Sequence, residues 1–358
     1  MSDELGPRTE VSATERTAAA WQAPLTWVVS GFLAFEIVSG LLVWLLPFSL
    51  TMQFVVLGHT VVGVAMVLPW IIYQAKHWLA VSRQKFSHHK VTGYAAFASL
   101  VVCLVSGGVL TWQAAFGLRI SYGWDTVHVA SGLAVLAMIG VHLVTIVVRD
   151  SKRKGLGVAI LRRAQRRFAM GSLIVTLVLA ALNGLWQWSY EHPKLDWELP
   201  PDYSMSYGDN PFAPSLAGTP GNVPIHPRRF SGSKSCGQAG CHQEIYDEWL
   251  PSAHRYASTD VAFQSVQHVM AENEGPDSTR YCAGCHDPVA LFSGSKNIYD
   301  DDLSSPGAEE GVSCIACHRI TETDVKGNAS YTMAPPDFYA YELDESQSGQ
   351  WISNFLIR

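Results

Sequence analysis

The chain has no G-x-G-x-x-G fingerprint and no P-loop in a convincing strand-to-helix context, which removes dinucleotide and nucleoside-triphosphate chemistry from consideration. It shows no recognisable signalling segment, which argues against a sensor. No cleavable signal peptide is evident, so the first apolar run is expected to serve as an uncleaved anchor. Charge is scarce, at 16% of 358 residues, and it is unevenly placed. Residues 191–358 hold 24 acidic and only 10 basic residues, so no nucleic-acid partner is expected. That half is also poor in aliphatic clusters and cannot build a large core from them.

Long apolar runs are abundant in the other half. A membrane helix needs about 20 apolar residues. Five segments qualify, at roughly 25–48, 51–79, 92–114, 125–148 and 169–190. Tryptophans near their ends (Trp27, Trp70, Trp78, Trp112, Trp124, Trp186, Trp188) suit an interfacial belt. The 2–3 loop is basic (Arg83, Lys85, Lys90), and the 4–5 loop more so (Arg149, Lys152, Arg153, Lys154, Arg162, Arg163, Arg166, Arg167). Basic loops stay in the cytoplasm. Five spans then leave the C-terminal half outside, in the periplasm of a bacterial inner-membrane protein.

Cysteine is rare but concentrated. Six of the seven cysteines fall into Cys236-x4-Cys241-His242, Cys282-x2-Cys285-His286 and Cys314-x2-Cys317-His318. This is the attachment signature of c-type haem: two thiols add to the vinyl groups and the next histidine binds the iron. A zinc ribbon of Cys282, Cys285, Cys314 and Cys317 would leave Cys236 and Cys241 idle and would not explain the three histidines. Disulfide pairing is the other alternative, in an oxidising compartment. The seventh cysteine, Cys103, lies in an apolar helix and reads as a packing residue.

Ionisable residues inside membrane helices are usually functional. Helix 2 carries His59 and His77, and helix 4 carries His128 and His142. An interval of 18 residues is five full turns, or about 27 Å. An interval of 14 is close to four turns, or about 21 Å. Each helix thus offers a ligand near each membrane face, giving two bis-histidine b-haem sites. His59 and His128 share the pattern H-x3-G-x-A, with Gly63 and Gly132 one turn away, where a flat porphyrin could approach the backbone. They form the outer pair. His142 belongs to the inner site, with either His77 or His89 as its partner, since Pro69 should kink helix 2 between its histidines. Glu36, midway along helix 1, is either linked to quinone protonation or a neutral structural group.

The 14-residue histidine pair with partners on neighbouring helices resembles the dihaem cytochrome b subunits of formate dehydrogenase and nickel-iron hydrogenase, over residues 25–150. That resemblance implies electron conduction between a periplasmic redox partner and quinone near the inner face. In the outer half, Trp249-x2-Ser252-x-His254 closely follows a haem motif. Residues 230–320 resemble multihaem c-type cytochromes related to the tetrahaem carrier of hydroxylamine oxidisers. The resemblance implies that His254 is a distal ligand of a neighbouring haem. His268 and His226 are the other distal candidates, with Met205, Met270 and Met333 as weaker ones. Relatives often carry further motifs, and the apolar run 351–358 is read as the possible end of a fragment.

The expected architecture is therefore an all-α membrane protein of five transmembrane helices followed by a loop-rich, mostly α multihaem cytochrome c domain. Its parts are a cytoplasmic tail (1–24), a dihaem cytochrome b domain (25–190), a Pro-rich linker (191–230) with eight prolines, and a trihaem domain (231–358). In the last, helices are expected at 242–256 and 259–273. Three covalent c-haems, two b-haems and a transient quinone would carry electrons from a menaquinone or ubiquinone pool to periplasmic cytochromes or redox enzyme subunits. The alternatives are the reverse flow from a periplasmic dehydrogenase, and a catalytic multihaem reductase of a nitrogen or sulfur oxyanion.

Overall fold

The computed structural model describes residues 7–83, 85–152, 156–191, 193, 195–230, 232–238, 242–294, 304, 306–335 and 337–357. It divides into two compact units, Met1–Glu191 with Trp351–Leu356, and His192–Gln350 with Ile357–Arg358.

In the first unit, α1 (Pro7–Gln22) precedes five long helices: α2 (Pro24–Leu45), α3 (Leu50–Val81), α4 (His88–Ala115), α5 (Tyr122–Ser151) and α6 (Leu156–Ser189). All five are long and apolar enough to cross a membrane. Their starts follow local chemistry. Pro24 opens α2, where its missing N–H costs nothing. Ser49 caps α3 by accepting from the Met52 N–H at 3.3 Å. Helix α3 continues through Pro69. Midway along the bundle, Met66, Leu100 and Val135 are buried together, with Phe32, Leu33, Trp70 and Ile139 packed around them.

Two expectations need revision here. The stretch read as an N-terminal tail contains α1, whose Ala18 buries against Leu161 and Ala164 of α6. Trp21 also meets Phe168 edge-on at 4.9 Å. Arg162, Arg163, Arg166 and Arg167, read as loop, lie in the first turns of α6. Arginine is a strong helix former, and the Leu161–Ala164 face gives those turns something to bury.

The second unit has an aromatic core. Phe212, Phe230 and Phe292 are fully buried with Ile225, Val289, Leu291 and Met333. Phe212 meets Phe292 edge-on at 5.2 Å, and Phe230 stacks on Phe292 at 5.8 Å. Each such side chain is worth about 1.5–3 kcal/mol. The segment expected as a free Pro-rich linker therefore supplies Phe212, Ile225 and Phe230 to this core. Its prolines restrict the backbone but leave the aromatic side chains free to bury.

Around the core lie α7 (Ser233–Gln238), α8 (Gln243–Trp249), α9 (Val261–Glu274), α10 (Arg280–His286), α11 (Pro288–Ser293), α12 (Pro306–Glu310) and α13 (Cys314–His318). An antiparallel pair, β1 (Ile320–Thr323) and β2 (Tyr331–Met333), sets Ile320 opposite Met333. Helix α8 stops before Pro251, shorter than expected. Helix α9 starts at an Asp260 cap, which accepts from the Phe263 N–H at 2.9 Å. The apolar C-terminal stretch forms α14 (Gln347–Ile357).

Candidate metal centres

The first unit gathers its histidines at two levels. At one, His59 of α3 and His128 of α5 face each other with ring centroids 6.1 Å apart and planes at 80°. Metal–imidazole bonds of about 2.0–2.1 Å would hold two ligating rings about 6 Å apart. The hydrogen bonds define which nitrogen is available. The Ser39 hydroxyl donates to the Phe35 carbonyl at 2.7 Å, so it accepts from His59 Nδ1 at 2.9 Å. Glu36 Oε2 lies 3.1 Å from the same nitrogen. His128 Nδ1 lies 3.1 Å from the Cys103 carbonyl, which can only accept, and 3.3 Å from Ser106 Oγ. Both rings therefore carry their proton on Nδ1 and keep the Nε2 lone pair for a metal.

His142 repeats the arrangement at the other level. Thr92 Oγ1 donates to the His89 carbonyl at 3.1 Å and accepts from His142 Nδ1 at 3.1 Å. His77 and His89 both lie within electrostatic range of His142. His77 stacks on Tyr73 at 5.6 Å. His89 leans on His88 at 3.9 Å, and its buried Nδ1 has no hydrogen-bond partner among the described residues. Neither is singled out as the partner of His142.

Each of the three engaged rings also rests on a glycine of a neighbouring helix. A Cβ at Gly107 would lie 2.8 Å from His128 Cε1, one at Gly93 would lie 3.1 Å from His142 Cε1, and one at Gly40 would lie 3.3 Å from His59 Cε1. In every case the glycine follows the hydroxyl residue beside that ring: Ser39-Gly40, Thr92-Gly93 and Ser106-Gly107. The same dipeptide at Ser30-Gly31 and Ser131-Gly132 faces Val175 and Cys103 instead, so helix pairing is needed to read it. Neither of the expected porphyrin seats, Gly63 and Gly132, has a histidine ring as its nearest neighbour. Gly63 faces Glu36 Oε2, where a Cβ would sit at 3.2 Å, and Gly132 faces Cys103 Sγ at 3.9 Å. This cradle of free Nε2 atoms and close glycines fits a b-type haem.

In the second unit, the two short motifs each form one helical turn. Cys282, Cys285 and His286 lie on α10, and Cys314, Cys317 and His318 on α13. Ser313 caps α13 by accepting from the Ala316 N–H at 3.2 Å. Buried Ala283, Gly284 and Ala316 seat these turns and leave His286 and His318 exposed. At Gly284 a Cβ would come within 2.8 Å of Ala329 Cβ and 2.9 Å of Ser215 Oγ. The longer first motif is split: Cys236 lies on α7, His242 opens α8, and Cys241 lies outside the described residues.

The motifs also touch one another. The Cys236 thiol hydrogen-bonds to Cys314, which holds Cys314 down at about 6 and pushes Cys236 up. Burial, then the fields of Cys285 and Cys317, push the Tyr331 phenol up, and its hydroxyl donates to the Gly284 carbonyl at 2.7 Å. The first and third motifs are therefore in contact, and the second and third both lie near Tyr331.

Residues 235–319 match the cytochrome c554 and c-prime family. The C-terminal region carries a multihaem c-type cytochrome domain. Among curated proteins and among solved structures, nothing matches the chain.

Within the cytochrome domain, the three distal candidates are placed differently. His254 presents an exposed imidazole, and its backbone carbonyl accepts from the Val312 N–H at 2.9 Å. Trp249 Nε1 donates to the Val312 carbonyl at 3.0 Å. The Trp-x2-Ser-x-His segment thus clamps both sides of Val312, two residues before Cys314. His268 lies on the exposed face of α9 with Nε2 3.2 Å from Glu272. His226 accepts from the Arg228 N–H through Nδ1 at 3.1 Å, which puts its proton on Nε2. Burial and Arg228 hold its pKa below the usual value. As placed, it caps a turn rather than offering Nε2 to iron. Met333 is fully buried in the aromatic core and serves packing. One contact absent from the sequence reading is Phe263, which stacks on His286 at 4.4 Å and 11°.

Proposed function

We propose that the chain is a membrane electron-transfer cytochrome that passes electrons between the quinone pool and acceptors outside the membrane. The observation that carries this reading is the His59–His128 pair, with both Nδ1 protons engaged and both Nε2 atoms free, in a chain that also bears a c-type cytochrome domain. In this reading His59 and His128 hold the outer b-haem. His142 holds the inner one together with His77 or His89. Three c-haems are tethered by Cys236 and Cys241, by Cys282 and Cys285, and by Cys314 and Cys317, with His242, His286 and His318 as proximal ligands. The haems supply one-electron redox chemistry, while the protein orients and separates them. The Cys236–Cys314 contact supports an electron path in which the haems of the first and third motifs are neighbours. We assign the cytochrome domain to the periplasmic side of a bacterial inner membrane, on the strength of the basic segments around Arg83 and Arg162, and favour outward flow from quinol.

A pyridine haemochrome assay on purified protein tests the cofactor set. We expect covalent to extractable haem near 3:2, from the three cysteine motifs and two histidine levels, and reduction of both pools by a quinol analogue in membranes. Absence of extractable haem would remove the bundle from the electron path. One observation favours a second reading: with His226 used as a cap, His254 and His268 are left for three c-irons. A high-spin c-haem signal would support a catalytic reductase with an open iron.

A further inference from the structure

The two acceptors of the His59–His128 pair differ in kind. His128 gives its Nδ1 proton to a backbone carbonyl, whereas His59 is bonded to Ser39 and faces a carboxyl group, Glu36 Oε2, at 3.1 Å. Among the described residues no carboxyl group is hydrogen-bonded to His142, whose Nδ1 partner is the Thr92 hydroxyl. Glu36 is not there by default. Its side chain is only 12% exposed, and its other oxygen, Oε1, is buried without a hydrogen-bond partner among the described residues. Gly63 makes room for it, since a Cβ there would lie 3.2 Å from Oε2. A carboxyl group in an apolar helix, one oxygen unsatisfied and a glycine cleared for it, is an expensive arrangement. Its return is the contact with His59.

We propose that Glu36 is a positioning residue for the haem ligand His59 and lowers the midpoint potential of the outer b-haem relative to the inner one. The inference rests on the proposed b-haem at His59 and His128. A carboxyl oxygen that shares the Nδ1–H proton with Ser39 orients the ring and increases the basicity of Nε2. A more basic ligand favours the oxidised iron, so the outer haem is held at lower potential than a neutral acceptor would give. The chain thereby distinguishes two centres that have the same ligand type, by one residue on α2.

The test is a redox titration of the b-bands in the full-length protein, wild type beside Glu36→Gln, with extractable haem measured on the same samples. Glu36→Gln keeps the size and an amide acceptor but removes the carboxylate. The expected result is unchanged haem content, an upward shift of one b-haem by about tenfold in its oxidised-to-reduced ratio, equivalent to about 59 mV for a one-electron couple, and no shift of the other. Glu36→Asp should restore part of the wild-type value. Two unchanged midpoints would overturn the proposal. If Glu36→Gln loses its haem, Gly63→Ala serves instead, because it displaces Oε2 without touching His59 or Glu36 chemically. An upward shift of the same haem supports the proposal, and its absence overturns it. Wild-type protein without extractable haem would refute the bundle reading itself, which is a separate outcome.

Discussion

Gly107→Ala should cost the protein one b-haem, and Gly108→Ala should not. The two glycines are adjacent on α4, yet their surroundings differ. A Cβ at Gly107 would lie 2.8 Å from His128 Cε1 and 3.1 Å from Nδ1, whereas at Gly108 nothing lies within 4 Å. The first approach is about 0.6 Å inside the 3.4 Å at which ordinary contact begins. His128 cannot simply retreat, because its Nδ1 is held by the Cys103 carbonyl at 3.1 Å. Relief requires either a lost hydrogen bond, about 0.5–1.5 kcal/mol, or a local shift of the helices, about 1–3 kcal/mol. Against this, alanine improves a helix over glycine by about 0.5–1 kcal/mol. The net effect at Gly107 is a displaced ring and a penalty of up to about 2.5 kcal/mol on any ligand that needs it, or up to roughly a seventyfold loss in haem affinity. At Gly108 only the helix gain remains. The assay is extractable haem per covalent haem, which uses the c-haems as an internal standard. Equal haem b in both variants and wild type would show that the Ser-Gly seats do not support ligands, and the geometric case for His128 would fall with them.

Three further outcomes follow in the cytochrome domain. Trp249→Phe removes the donor to Val312 and should cost about 1 kcal/mol, while altering the spectrum or potential of a single c-haem; an unchanged titration would separate the clamp from the haem site. Gly284→Ala should destabilise the domain by about 1–3 kcal/mol, read as an earlier loss of c-haem Soret dichroism on heating with the b-bands unaffected, and an unshifted melt would refute the close packing. Asp277 is buried, which pushes its carboxyl up, but the Ser206 N–H, the Ser204 hydroxyl and Arg280 outweigh this and hold it below the usual value. A depressed carboxyl stabilises the fold above the unfolded pKa of about 3.9, and that contribution disappears as pH falls through the folded value. Asp277→Asn should therefore be less stable than wild type near neutrality, with the gap closing below about pH 4; a gap independent of pH would show that Asp277 acts by shape alone.

Much of this was legible in the chain because two strong periodicities carry it. Five apolar runs mark five helices, and the cysteine spacings mark the attachment turns. The approach of His59 to His128 agrees with the sequence pattern, in which residues 18 and 14 apart return to one helix face. What holds those histidines was not legible. Ser39-Gly40, Thr92-Gly93 and Ser106-Gly107 sit on different helices from the rings they serve, and a small polar pair in an apolar run carries no signal until the pairing of helices is known. The visible repeat, H-x3-G-x-A, pointed to Gly63 and Gly132, but these glycines receive a carboxyl group and a sulfur. Helix α1 and the aromatic core around Phe292 were missed for a related reason. Their apolar residues are sparse along the chain and become a core only through partners far away in sequence.

The polar groups inside the bundle supply an argument of their own for metal. A half-buried imidazole in an apolar bundle is most stable when both of its nitrogens find partners. Here His59, His128 and His142 have each committed their one proton to Nδ1, through Ser39, the Cys103 carbonyl and Thr92. A neutral ring so committed has only a lone pair left at Nε2. Two such rings 6.1 Å apart cannot satisfy one another, because neither has a proton to give. A packing role would favour the opposite choice, one ring donating to the other at hydrogen-bond distance. Lone pairs without a donor among the described residues, on rings at about the spacing that two metal bonds would set, suit the bis-histidine site proposed above. Met66, Leu100 and Val135, buried together, fall between the two histidine levels along α3, α4 and α5, and an apolar layer there disfavours a chain of water from one level to the other.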